Sequence, residues 1–125
     1  MREILTRLLG EEPELEIAVL IGSRATDQAR SQSDWDIAVQ WRDRQSLMKS
    51  MALTEGLRHR LAARLGCLPD GIDLIHIPDA NLTMRSVIAE EGIPVKGEAT
   101  LAWKHFLQRT WRELEEVYWE EIYAH

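Results

Sequence analysis

Three aspartates and a glycine–serine pair are the residues of this chain whose types and spacing could carry out chemistry. Gly22 and Ser23 end an apolar run, and Asp34 and Asp36 follow after ten intervening residues, at the start of another apolar run. Side chains alternate faces along a strand, so Asp34 and Asp36 should project from the same side with Cα atoms about 6.6 Å apart. Two carboxylates at that separation can bind one hard divalent cation and repel each other without it.

The Gly22–Ser23 pair predicts a turn that holds phosphate. A glycine at the end of a strand lets backbone N–H groups approach a phosphate closely, and the serine hydroxyl adds a donor. Such a turn beside paired carboxylates suits phosphoryl or nucleotidyl transfer, in which magnesium neutralises the polyphosphate and orients it for in-line attack. Arg24 and Ser33 are the first and last residues of the intervening segment, and both are candidate nucleotide contacts. Arg24 could equally be a solvated side chain, and Ser33 could simply end the turn.

Asp73 is the third candidate acid. It lies between Ile72 and Leu74 in an otherwise apolar segment, where an unpaired charge would be costly. If this segment pairs beside the strand that follows Asp34, Asp73 would face the same metal and help to deprotonate an attacking hydroxyl. An Asp-x-Asp or a Gly-Ser pair alone is a weak signal, whereas both together with a third acid in a later apolar strand are a strong one.

The elements that must position these residues follow from hydrophobic periodicity. Helices are predicted over residues 3–9, about 45–65, about 80–90 and about 100–123. Strands are predicted over 17–21, 34–41, 71–77 and, at a sheet edge because of Pro94, 93–96. Between the first two strands, residues 24–33 can hold only a turn or a short helix. This order predicts one domain over residues 1–125, of the α/β (α+β) class, with a small mixed sheet flanked by helices.

The ends and faces of two helices are also predicted. Gly66 should end the second helix, and Asp79 should cap the third. The second helix carries an apolar stripe of Leu47, Met51, Leu53, Leu57, Leu61 and Leu65. The last helix also carries an apolar stripe, which consists of Trp103, Phe106, Leu107, Trp111, Leu114, Val117, Tyr118 and Ile122. Core packing accounts for most of such a stripe, but so much aromatic surface in a small domain also suits a protein–protein contact.

Composition and charge narrow the function classes. The chain has 125 residues, of which 45% are hydrophobic and 29% charged, so it is a globular sequence rather than a disordered one. A net charge of −6 makes direct binding to nucleic acid unexpected. No apolar run approaches the ~20 residues that cross a bilayer, and the acidic N-terminal segment resembles no targeting peptide, so a cytoplasmic location is expected. The single cysteine, Cys67, excludes an internal disulfide and is expected to pack as a small hydrophobe.

The motif GSRATDQARSQSDWDIAVQW, with Asp73 downstream, resembles the signature of the DNA polymerase β-like nucleotidyltransferase superfamily, and more narrowly that of the minimal nucleotidyltransferase (MNT) proteins. The resemblance implies a nucleotidyltransferase fold and an antitoxin of a type VII pair, typically encoded beside a HEPN-domain RNase toxin. It also implies transfer of AMP from ATP to a tyrosine of that toxin. Gly22 and Ser23 would hold the triphosphate, Asp34 and Asp36 would bind Mg²⁺, and Asp73 would be the third ligand and activate the nucleophile.

Two other functions remain open at the level of sequence. One is a nucleotidyltransferase that acts on a small molecule or an RNA end, which the short chain disfavours because such relatives usually add a domain that shapes the acceptor site. The other is a non-catalytic antitoxin that neutralises its partner by occlusion, which the three intact carboxylates disfavour. No membrane association is expected for any of the three.

Overall fold

The computed structural model describes residues 2–26, 28–30, 33–43 and 45–124. Within these ranges a sheet and its flanking helices follow each other along the chain. The helices are α1 (Arg2–Gly10), α2 (Leu47–Leu65), α3 (Leu82–Glu91) and α4 (Leu101–Tyr123). The strands are β1 (Leu15–Ile21), β2 (Trp35–Trp41), β3 (Ile72–His76) and β4 (Ile93–Lys96). The predicted mixed α/β class is therefore confirmed.

The sheet has the strand order β3-β2-β1-β4. β1 runs antiparallel to both β2 and β4, whereas β2 and β3 run parallel. The parallel pair needs a long crossover, and α2 supplies it. β4 lies at an edge of the sheet, where a strand pairs on one side only and can accommodate Pro94, as the sequence predicts.

Apolar side chains cover both faces of the sheet. On one face, α1 and α2 contribute Leu5, Leu9, Leu57 and Leu61 to a cluster that includes Trp35 and Ile37. On the other face, α3 and α4 contribute Ile88, Trp103 and Phe106 to a cluster with Ile17, Val19 and Ala38. Because β1 is covered on both sides, its sequence from Ile17 to Ile21 is a continuous apolar run rather than an alternating one. No helix within the described ranges is long and apolar enough to cross a membrane.

The helix ends follow the sequence except at α3. Gly66 ends α2 in the left-handed conformation, with φ 73°, as predicted. The prediction that Asp79 caps α3 is wrong, because a short 3₁₀ turn occupies residues 77–79 and the helix begins later. Asn81 is the cap, and its side chain accepts a hydrogen bond from the backbone N–H of Met84 at 2.8 Å. The Asp79 carboxylate instead contacts Nδ1 of His76 at 2.7 Å.

The two predicted apolar stripes are buried only in part. On α2, Leu57 and Leu61 are buried, but Leu47 and Met51 are 76% and 58% exposed. On α4, Trp103 and Phe106 are buried, whereas Trp111, Val117, Tyr118 and Ile122 are exposed. Periodicity identifies the apolar side of a helix, but it does not show whether another element lies opposite every turn.

Candidate active site

Asp36 and Asp73 lie side by side on the two parallel strands. The register of β2 and β3 makes their Cα atoms direct partners, and neighbouring strands are about 4.8 Å apart. Both side chains project from the sheet face on which Ala38 and Ile75 contact the α3–α4 cluster. The predicted placement of the Asp73 strand beside the Asp36 strand is therefore confirmed.

The three acids influence one another electrostatically. Asp34 directly precedes β2 and is exposed, as is Asp73, while Asp36 is half-buried between them. Burial raises the pKa of the Asp36 carboxyl above its usual range, and the negative charges of Asp73 and then Asp34 raise it further. Asp36 therefore binds a proton more readily than an isolated aspartate, and a cation at this position would relieve the repulsion among all three acids.

Gly22 brings the main chain against the Asp36 carboxylate. Ile21, the last residue of β1, is the register partner of Asp36, so Gly22 leaves the sheet directly beside it. Gly22 has φ 74°, and a Cβ built on it would lie 2.4 Å from Oδ2 of Asp36. Both the conformation and the close approach favour glycine at this position, because any other side chain would be strained and would displace the Asp36 carboxylate.

Ser23 occupies the middle of the 3₁₀ turn Gly22–Arg24. Its backbone carbonyl accepts a hydrogen bond from the N–H of Gln28 at 3.0 Å. Its half-buried hydroxyl makes no hydrogen bond to another residue in the described part of the chain, so it is available to a ligand. The predicted turn after β1 is present, although residues 27, 31 and 32 of the predicted 24–33 segment lie outside the described residues.

Arg24 and Ser33 close the loop between β1 and β2 across its base. Nε and Nη2 of Arg24 both donate to the backbone carbonyl of Ser33, at 3.2 and 2.6 Å. The guanidinium also lies 4.0 Å from the centre of the Trp35 ring, a cation–π contact. The Ser33 hydroxyl accepts a hydrogen bond from the backbone N–H of Arg30 at 2.8 Å. These contacts hold the loop, and contact of Arg24 or Ser33 with a nucleotide stays a prediction.

Sequence reasoning missed two supporting residues, Trp35 and Arg58. Trp35 is buried and provides the ring over which Arg24 lies. Arg58 of α2 donates through Nη1 to the carbonyl of Ile72, at 2.5 Å, and so holds the backbone immediately before Asp73. The position of Trp35 between two aspartates could have indicated the first role. Nothing in the sequence pairs Arg58 with Ile72, because that contact depends on how α2 packs on β3.

The carboxylate groups of the site are of the chemical type that binds a divalent metal ion. Carboxylate oxygens are the ligands that Mg²⁺ prefers, and the neighbouring negative charges that raise the pKa of Asp36 favour a cation. Among the described residues, however, no group of three or more His, Cys, Asp or Glu side chains is already gathered for metal binding. The three carboxylates would therefore have to converge to hold Mg²⁺.

Two sequence comparisons bear on this site. A family model described as polymerase beta, nucleotidyltransferase matches residues 3–100, which include all the candidate site residues. A curated relative, the protein adenylyltransferase MntA of Aphanizomenon flos-aquae (strain 2012/KM1/D3), is 51% identical over 39 residues. That match spans 31% of this chain and only 26% of the relative's own length.

Solved structures share the fold across nearly the whole chain. A toxin–antitoxin structure with AMP-PNP matches with a TM-score of 0.71 at 22% identity, over 95% of this chain and 90% of the matched one. A complex of a tri-AMPylated Shewanella oneidensis HEPN toxin with its MNT antitoxin matches with a TM-score of 0.64 at 21% identity, over 95% and 87%. Likeness at this identity establishes a common fold.

Proposed function

Since the chain belongs to the polymerase beta nucleotidyltransferase family, we propose that it is the antitoxin of a type VII HEPN/MNT pair and moves AMP from ATP to a tyrosine of the HEPN toxin. The observation that carries this proposal is the register pairing of Asp36 with Asp73, with Gly22 packed against the Asp36 carboxylate. The similarity to MntA and the fold shared with complexes of MNT antitoxins and HEPN toxins support the choice of partner.

In the proposed reaction, the tyrosine oxygen attacks the α-phosphorus of ATP. The bond from that phosphorus to the bridging oxygen breaks, pyrophosphate leaves, and AMP remains on the tyrosine. Gly22 and Ser23 hold the triphosphate, with Arg24 and Ser33 as further nucleotide contacts. Asp73, the more exposed member of the strand pair, accepts the proton of the attacking hydroxyl.

Asp34, Asp36 and Asp73 are the residues that would hold Mg²⁺. When bound, the ion supplies charge neutralisation of the triphosphate and of the three carboxylates. We place the protein in the cytoplasm, where ATP and an intracellular toxin would both be present.

Transfer of labelled AMP to the product of the neighbouring gene, which the proposal expects to be a HEPN protein, tests the proposal. With Mg²⁺ and α-labelled ATP, the wild-type protein should label that neighbour and add one or more AMP units to its mass. Asp34→Ala combined with Asp36→Ala should abolish labelling while leaving the fold intact. Glu90→Ala combined with Glu91→Ala is the matched control, because it removes two exposed acids of α3 outside the site. Labelling by the site variant at the wild-type rate would contradict the proposal.

The same experiment separates catalysis from occlusion. An exposed apolar surface on α4 favours partner binding as a second way to neutralise the toxin. If the Asp34/Asp36 variant transfers no AMP yet still inhibits the toxin at equal concentration, occlusion is sufficient. If it loses both properties while still binding the toxin, modification is required.

A further inference from the structure

The last turns of α4 stand clear of the rest of the protein. Thr110 is fully buried, and Arg85 of α3 pairs with Glu113, which marks the last anchored turn. From residue 115 to residue 124 every side chain is exposed, on all sides of the helix. These ten residues, here named the α4 end, extend about 15 Å at the usual helical rise. Their exposure indicates that they gain little stabilisation from packing against the sheet, the usual source of helix stability in proteins.

The α4 end is both aromatic and acidic. Its large apolar side chains are Val117, Tyr118, Trp119, Ile122 and Tyr123, which are 41–78% exposed. The Trp119 ring lies 5.6 Å from both the Tyr118 ring and the Tyr123 ring, so the three aromatic side chains are already ordered against one another. Four glutamates lie among them, and the segment contains no lysine or arginine.

We infer that the α4 end is the docking surface for the HEPN toxin, inserted into an apolar groove with positively charged edges. This inference rests on the proposed function for the identity of the partner. Aromatic side chains that are ordered before binding lose little conformational entropy when they are buried, which makes them suitable anchors. The four glutamates require a partner with basic edges, because acidic edges would repel them.

The charge of the α4 end argues against a second copy of this chain as its occupant. Two such segments side by side would bring eight glutamates together without a cation in either segment. The net charge of −6 on each chain adds repulsion over longer distances. A basic partner meets no such opposition.

Binding of the 125-residue chain to the product of the neighbouring gene, which the proposed function expects to be a HEPN protein, tests this inference. Trp119→Ala combined with Tyr123→Ala should weaken binding by at least about 30-fold, the scale for aromatic anchors at an interface. Glu120→Lys combined with Glu121→Lys should also weaken binding, and raising the salt concentration should weaken wild-type binding. Met48→Ala combined with Leu101→Ala is the matched control, since both side chains are exposed and apolar but lie outside the α4 end. Titration calorimetry gives the affinities, and light scattering gives the mass of each free variant.

The outcomes distinguish this inference from the proposed function. Equal binding by the wild type and the Trp119/Tyr123 variant overturns the inference, even if AMP transfer is intact. A wild-type dimer that only this variant dissociates, with unchanged toxin affinity, overturns it in favour of a second copy. Weaker binding by the variant supports the inference even if the wild type transfers no AMP, and in that case only the catalytic proposal fails.

Discussion

The position of the Asp36 carboxylate depends on glycine at position 22, because a side chain there would occupy the same space as the carboxylate. The left-handed φ of 74° at Gly22 disfavours other residues on conformational grounds, and a Cβ there would lie 2.4 Å from Oδ2 of Asp36, so the carboxylate would have to move. The second constraint bears on chemistry, since a methyl group at position 22 would displace the carboxylate rather than a backbone atom.

Gly66 allows these two constraints to be separated. It has φ 73°, nearly the same as Gly22, but a Cβ built on it would meet no atom within 4 Å. Both Gly22→Ala and Gly66→Ala should lower the free energy of unfolding by about 1–2 kcal/mol, the cost of a left-handed alanine. Only Gly22→Ala should also reduce AMP transfer, by about 100-fold, because it misplaces Asp36. Urea denaturation and labelled-AMP assays measure the two effects, and an active Gly22→Ala protein would refute the coupling.

At the scale of elements, the parallel register of β2 and β3 brings Asp36 and Asp73 together. Two acids on neighbouring strands and one at the strand start lie close enough to oppose folding at neutral pH. The pKa of Asp36 is raised first by burial and then by the charges of Asp73 and Asp34, which reflects the unfavourable energy of the ionised carboxylate in the folded protein. A group whose folded-state pKa is raised contributes stability at low pH, and that stability is lost as the pH rises through the folded-state value.

Asp36→Asn should therefore raise the free energy of unfolding at pH 7, since it removes a charge that the fold disfavours. The gain should be below about 1 kcal/mol, because the site is open to solvent and screened. It should shrink as the pH falls towards the ordinary aspartate pKa, where the wild-type side chain is protonated too. Urea denaturation at a series of pH values measures the difference, and added salt should reduce the part that comes from neighbouring charges. A gain independent of pH would point to packing instead of charge.

The order of the elements was predictable from the sequence, but some of their ends and faces were not. The continuous, β-branched-rich apolar run within β1 and the largely apolar segment of β3 indicated strands, and Gly66 indicated the end of α2. Asp79 looked like a helix cap, yet Pro78 and the turn around it delay the helix until Asn81 provides one. Capping chemistry alone does not choose between two suitable residues that are only two positions apart.

The site acids were predictable because each carries a local signal. Asp34 and Asp36 alternate with apolar residues, and Asp73 interrupts an apolar strand. The contacts that hold them carry no such signal. Arg24 reaches the Ser33 carbonyl and Arg58 reaches the Ile72 carbonyl, and both contacts join segments that only the folded chain brings together.

At the scale of the whole molecule, the site and the α4 end are structurally independent. The site lies where β1, β2 and β3 meet, whereas the α4 end begins beyond the Arg85–Glu113 ion pair that joins α4 to α3. Stability should therefore reside in residues 2–114, and partner binding should depend on residues 115–124.

Ending the chain after Leu114 tests this division. The free energy of unfolding of the shortened protein should lie within about 1 kcal/mol of that of the 125-residue protein, since the described side chains that it lacks are exposed. Circular dichroism should register the loss of helix, and urea denaturation should show one cooperative transition at a nearly unchanged midpoint. A large drop in midpoint would show that the α4 end supports the core.

The shared space between Gly22 and Asp36 also limits how this protein can diverge. A lineage that keeps the acid is confined to glycine at position 22, because any side chain there would contact the Asp36 carboxylate. A lineage that abandons the reaction no longer needs Asp36. Once Asp36 is replaced by a smaller residue, a side chain at position 22 no longer meets a carboxylate. Descendants with a replacement at position 22 should therefore also have replaced Asp36, and such paired changes would mark copies that survive as binders alone.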